Sequence, residues 1–181
     1  MSTPDKNLYS LCNCHPLGTA FVPDLVATPD IADSLKITNC TDGILYAGWI
    51  KGGYEDCVDI NNHCDHIEVN AELFEPTGSY VATIKGGSRW IYLKGMVRGH
   101  GKIVDIDLGN ISDQSDNMTE YVTLNLTHEK GEPITIRILG CTDPIIINKD
   151  QQEYKVTFAI WKPFRPYFLK IYKQLKKVLP I

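Results

Sequence analysis

The sequence predicts an all-β solenoid, a short right-handed parallel β-helix of about five coils, and three observations carry that prediction. A strand–corner–strand–turn unit is written twice in succession: residues 56–64 open one copy and residues 79–88 the next, 23 residues later (79 − 56). Each copy closes on a glycine-containing turn, at residues 75–78 and 98–101. A small side chain follows each opening strand by the same step, as Cys40, Cys64, Ser88 and Cys141 do. No such unit can bury its apolar face alone, so the units must stack.

The chain divides into residues 1–32, 33–161 and 162–181. Residues 1–32 do not repeat, and Pro4, Pro16, Pro23 and Pro29 break any long helix there. Their scattered apolar residues suit an extended arm that grips a neighbouring subunit, or a cap on the solenoid. From residue 33 the coils follow one another. Val58 and Ile60, then Val104, Ile106 and Leu108, then Ile134, Ile136 and Ile138 alternate inward. Asn39, Gly87, Asn110 and Gly140 stand where a corner asks for left-handed backbone. The corner column itself reads Cys40, Cys64, Ser88, Ile111 and Cys141, packed side chains rather than disulfides.

The fourth coil is longer than the others by a polar bulge at residues 112–118, which suits a tolerated surface loop as well as one of the binding loops that solenoids carry at such places. Residues 153–161 alternate like one further strand. In residues 162–181, Phe164, Tyr167, Phe168, Ile171, Tyr172 and Leu175 form one apolar stripe of an amphipathic helix, with Lys170, Lys173, Lys176 and Lys177 opposite. That stripe suits three uses: covering an exposed strand edge, packing against equivalent tails in an oligomer, or lying on a membrane surface. The last is the weakest fit.

The 181 residues are 43% hydrophobic and 22% charged, with a net charge of −4, enough for one core and no general case for nucleic-acid binding. The N-terminus lacks a classical secretory signal and no stretch is a membrane span, so the expected site of synthesis and assembly is a reducing cytoplasm. Cys12, Cys14 and His15, with His63, Cys64, Asp65 and His66, invite a zinc reading, but their spacing does not match the usual ligand pairs, and no metal site is expected.

Alternation leaves Asp59, Lys85, Asp105, Asp107 and Arg137 on the outer face of the opening strands, within one patch about 15 Å across. Paired carboxylates at such spacing divide acid and base roles in glycoside hydrolysis. Beside a basic group they also suit Ca²⁺, the one cofactor considered.

In coil length and corner chemistry, residues 33 to about 150 resemble the right-handed parallel β-helix class, which includes pectate lyases, polygalacturonases and phage receptor-binding spikes. In enzymes of that class, acidic and basic residues on one sheet line a loop-walled groove. The resemblance would give Asp59, Lys85, Asp105, Asp107 and Arg137 that role, as a polysaccharide lyase or glycoside hydrolase. Here the coils are few and the loops short. The resemblance also covers small β-helices of virus particles, and this reading is preferred. It makes the chain a non-enzymatic structural protein of a virion, a capsid decoration or cement protein or a tail appendage. It would be assembled in the host cytoplasm as a homo-oligomer, a trimer for preference, touching neighbouring virion proteins and a surface glycan. A carbohydrate-active enzyme or glycan-binding module is the alternative.

Overall fold

Runs of alternating apolar and polar residues, rich in Val, Ile, Thr and Tyr and punctuated by Gly and Asn, form short strands. The computed structural model describes residues 6–78, 80–99, 103–107, 119–139, 146–147 and 154–159. These form β1 (Asn7–Cys12), β2 (Gly18–Phe21), β3 (Leu25–Val26), β4 (Asp33–Thr38), β5 (Thr41–Lys51), β6 (Asp56–Asn61), β7 (Asp65–Glu75), β8 (Tyr80–Ile84), β9 (Arg89–Val97), β10 (Ile103–Asp107), β11 (Glu120–His128), β12 (Ile134–Leu139), β13 (Ile146–Ile147) and β14 (Tyr154–Ala159).

The strands build a parallel β-solenoid from two sheets. Sheet A runs β1-β4-β6-β8-β10-β12-β14, and sheet B runs β13-β11-β9-β7-β5-β2 with β3 beside β5. Every ladder is parallel. One lap of chain contributes one strand to each sheet. The pairs β4–β5, β6–β7, β8–β9 and β10–β11 are four consecutive laps, with β1–β2 stacked before them and β12 to β14 after.

Parallel register places equivalent residues of successive laps one above another. Leu35, Val58, Ala82, Val104 and Ile136 form one column, and Ile37, Ile60, Ile84, Ile106 and Ile138 the next. Sheet B answers with Leu45, Val69, Leu93 and Leu124. The core lies between the two inner faces, and the members of these columns up to Ile84, with Leu45, Leu93, Leu124 and Ile136, are essentially solvent-free. Phe74 fills the edge of that core beside Gly95, where an added Cβ would run into the Ala71 carbonyl and the Phe74 ring.

The corners use the chemistry their residues suggest. Asn13, Asn39, Asn62, His63, Gly86 and Gly87 take positive φ just before Cys14, Cys40, Cys64 and Ser88. Asn39 Nδ2 donates to Asn13 Oδ1 at 2.7 Å, tying two corners together. The Cys40 thiol donates to the carbonyls of Thr38 (3.3 Å) and Leu11 (3.5 Å), and the Cys64 thiol to those of Asn61 (3.2 Å) and Ile37 (3.4 Å). Burial raises the pKa of both thiols, that of Cys64 to about 11, so they remain protonated packing groups. In the fourth lap buried Thr119 stands immediately before β11, as Ser88 does before β9. Ile111, expected in this corner column, lies outside the described residues.

Residues 6–32 form the first lap. β1 lies on β4, and β2 and β3 lie on β5. Pro16 and Pro23 fall in turns between strands, where a missing N–H costs little. The expected strand near residues 153–161 is β14, on β12. The polar segment 112–118 and the helix of residues 162–181, with Phe164, Tyr167, Phe168, Ile171, Tyr172 and Leu175, lie outside the described residues.

Truncating Phe74 to Ala removes the largest fully buried side chain and should destabilise the fold by about 3–5 kcal/mol. Gly95→Ala should also destabilise it, through overpacking against the same ring, by about 1–3 kcal/mol. Urea denaturation of both variants checks the pair, and a neutral Gly95→Ala would contradict the close approach.

Candidate functional site

Strict alternation fails at one place in each of β4, β6 and β8, and that failure builds the site. Ser34 and Leu35, Cys57 and Val58, and Val81 and Ala82 are all fully buried neighbours. The Ser34 hydroxyl donates to the Lys51 carbonyl, and the Cys57 thiol to the Ile50 carbonyl at 3.4 Å, so both point inward. Two inward residues in a row bring Asp33, Asp56 and Tyr80 out on the same face as Lys36, Asp59 and Thr83.

The result is a stack of carboxylates from two laps, met by Thr83 and Lys85 of a third. Asp33 pairs in register with Asp56, and Lys36 with Asp59 and then Thr83. Lys36 Nζ lies 3.2 Å from Asp59 Oδ2 and 3.7 Å from Asp33 Oδ2. Lys85 Nζ lies 3.2 Å from Asp59 Oδ1, and Asn61 Nδ2 donates to Asp59 Oδ2 at 2.6 Å. Thr83 Oγ1 donates to Asp56 Oδ1 at 3.0 Å. Although these side chains belong to the outer face, Asp33, Asp56 and Asp59 are only 3%, 5% and 2% exposed.

Burial is the largest influence on the protonation of Asp33 and Asp56. It raises the pKa of Asp33 to about 6, with Asp59 adding to the effect and Lys36 opposing it. Burial likewise raises the pKa of Asp56 to about 7, helped by the charge of Asp33 and opposed by the Thr83 hydrogen bond. Desolvation lowers the pKa of Lys36, and the Asp59 carboxylate more than offsets it. Near neutrality the stack therefore holds protons as well as charge, which is the property of an acid–base pair.

Of the residues singled out from sequence, Asp59 and Lys85 come together as an ion pair. Arg137 is held elsewhere on the sheet. Its Nη2 donates to the Tyr80 hydroxyl at 2.9 Å, and its guanidinium stands 5.2 Å from the centre of that ring. Asp105 takes the register position between Thr83 and Arg137, and Asp107 pairs with Leu139. Asp33 and Asp56 are the residues that simple alternation missed. Their trace in the sequence is the outward–inward–inward–outward quartet, Asp33-Ser34-Leu35-Lys36 and again Asp56-Cys57-Val58-Asp59.

The remaining polar features also form ladders. Along one edge of sheet B, Glu75 lies 3.8 Å from Lys51 and 3.1 Å from Arg98, which reaches Glu129 at 2.9 Å. His66, Trp90 and Tyr121 stack at 5.7 and 4.1 Å, each with φ near +50°. Their ring faces cover one another, so they offer mainly edges to a ligand. A shallow hollow of about 300 Å³ is lined by Asp24, Trp49, Glu72, Leu73 and Arg98. The residues of the zinc reading point apart: the Cys64 thiol faces carbonyls, while His66 stacks on Trp90. Among the described residues no group of three or more His, Cys, Asp or Glu side chains is placed to hold a metal ion.

Fold and site together define a parallel β-solenoid with ladder-paired charges on its outer faces. No family model, curated protein or solved structure matches the chain.

The raised carboxyl pKa values carry a sign. Above the ordinary value of 3.8 the unfolded chain releases protons that Asp33 and Asp56 retain until about pH 6 and 7. Native protein then binds more protons than unfolded, so this contribution to stability falls as pH rises from about 4 to 7. Asp56→Asn should therefore stabilise the protein relative to wild type by about 1–3 kcal/mol at pH 8, with the advantage gone by about pH 4. Urea denaturation of both proteins across that range checks it, and a pH-independent difference would contradict it.

Proposed function

We propose that this chain is a non-enzymatic structural subunit that works by being built into an assembly. The setting that fits best is a virus particle, in which it serves as a capsid decoration or cement protein or as a tail appendage. One observation carries the reading: the charged groups best placed for chemistry are engaged with each other. Asp59 is enclosed by Lys36, Lys85 and Asn61, and Arg137 is held by Tyr80. A substrate would have to displace those partners before reaching Asp59. Thiols bonded into the corners suit assembly in a reducing host cytoplasm.

A glycan-binding role is the second reading. Tyr46, Asn70 and Lys94 fall in one column of the outer face of sheet B, next to Glu68 and Tyr92. Asn70 Nδ2 donates to Glu68 at 2.7 Å, and Asn125 Nδ2 to the Tyr92 hydroxyl at 3.2 Å. Amides and rings of this kind recognise sugars without cleaving them.

Two measurements test the structural role. Particles sedimented from a lysate of the host culture should contain this chain in fixed proportion to other particle proteins. Finding it solely in the unsedimented fraction would contradict the proposal. Purified protein should leave the chain length of polygalacturonate and alginate unchanged. Asp59→Ala should instead act on stability, lowering it by roughly 3 kcal/mol by stranding two lysines. Polysaccharide cleavage that Asp59→Ala abolishes without loss of fold would overturn the reading in favour of an enzyme.

A further inference from the structure

We infer that the N-terminal end of the solenoid is a self-association surface, where the β1/β2 lap of one copy meets the same lap of a second copy across a two-fold axis. The inference deepens the assembly reading by naming the first contact.

Among the described residues the end is open in both sheets. β1 closes the order of sheet A and β2 that of sheet B, each bonded to one neighbour. Asn13 N donates to the Thr38 carbonyl at 3.1 Å. Alternation from that bond turns the Ser10 N–H and carbonyl away from β4, toward the place of a preceding lap. The core is open there as well. Tyr9, Leu11 and Leu17 pack on it but are only partly buried, while Leu8 is 41% and Val26 46% exposed. Phe21 is 80% exposed, with one ring face on Tyr46 at 5.3 Å and the other bare.

Edge strands are ordinarily protected by charges, proline or a bulge. β1, β2 and β3 contain no charged residue and no proline, whereas β4 and β5 behind them carry Asp33, Lys36, Asp42 and Lys51. Uncharged strands suit a two-fold axis, because side chains close to the axis lie beside their own equivalents and a charge there would meet a like charge. The geometry selects the partner too. A cover must present two strand edges about 10 Å apart, one for each sheet. The same end of another copy, turned over, has that spacing and pairs β1 with β1 and β2 with β2, antiparallel in both sheets. Further copies have no edge left at this end, so the contact closes at two rather than growing into a fibre.

Sedimentation equilibrium of the full chain tests this, with two variants that leave the inner ladders untouched. Ser10→Pro removes an N–H that faces the open edge, and Phe21→Lys places a charge on each side of the axis. Wild type should sediment at twice the chain mass. Both variants should weaken dimerisation at least tenfold while keeping the β-sheet circular dichroism spectrum of wild type. A wild-type monomer, a trimer, an open-ended polymer, or a dimer indifferent to both substitutions would each overturn the inference. A monomer that is nevertheless recovered in particles would remove the dimer alone and leave the structural role standing.

Discussion

Parallel register is the constraint on which everything else depends. A lap of chain hydrogen-bonded to the lap beneath places each side chain about 4.8 Å from its equivalents. Whatever a position carries is therefore repeated or answered in the next lap. Apolar positions gain from the arrangement, since Leu35, Val58, Ala82 and Ile136 bury one another in file. Charged positions would lose by it, because like charges at that distance repel. The sequence meets the difficulty by alternating signs along the columns, as Lys36 with Asp59, and Lys51 with Glu75, Arg98 and Glu129.

The exception is the Asp33–Asp56 pair, two carboxylates in register and nearly dry. There burial raises the pKa of both, Asp33 to about 6 with the charge of Asp59 adding to it, and Asp56 to about 7 with the charge of Asp33 adding to it. Of the two, Asp56 is tied to the following lap by the Thr83 hydroxyl. The same logic makes Cys40 and Cys64 inert: each is buried and donates to backbone carbonyls.

Much of this was legible in the sequence because a solenoid writes its register along the chain. The repeat in the low twenties aligned Val58 with Ala82, 24 residues on (82 − 58), and the corner chemistry of Asn39, Cys40, Cys64 and Gly87 followed from residue type alone. Two things were not legible. The first lap escaped notice because β1 and β2 lie on their neighbours without repeating their residues, and a short uncharged strand has no pattern of its own. Asp33 and Asp56 escaped because period-two reasoning cannot see a corner that turns two successive side chains inward. Burial of Asp59 was equally hidden, since it depends on lysines from the laps on either side, Lys36 and Lys85.

The register itself can be tested by cross-linking. Asn70 and Lys94 are partners on the outer face of sheet B, whereas Tyr92 is two residues off that line. Paired cysteines at 70 and 94 would lie about 5 Å apart at Cα and those at 70 and 92 about 8 Å, on either side of the reach of a disulfide. Under mild oxidation, peptide mass spectrometry should find the 70–94 bridge in folded protein and no 70–92 bridge. Equal bridging in both variants, or bridging of 70–92 alone, would contradict the parallel stacking of laps on which this account is built.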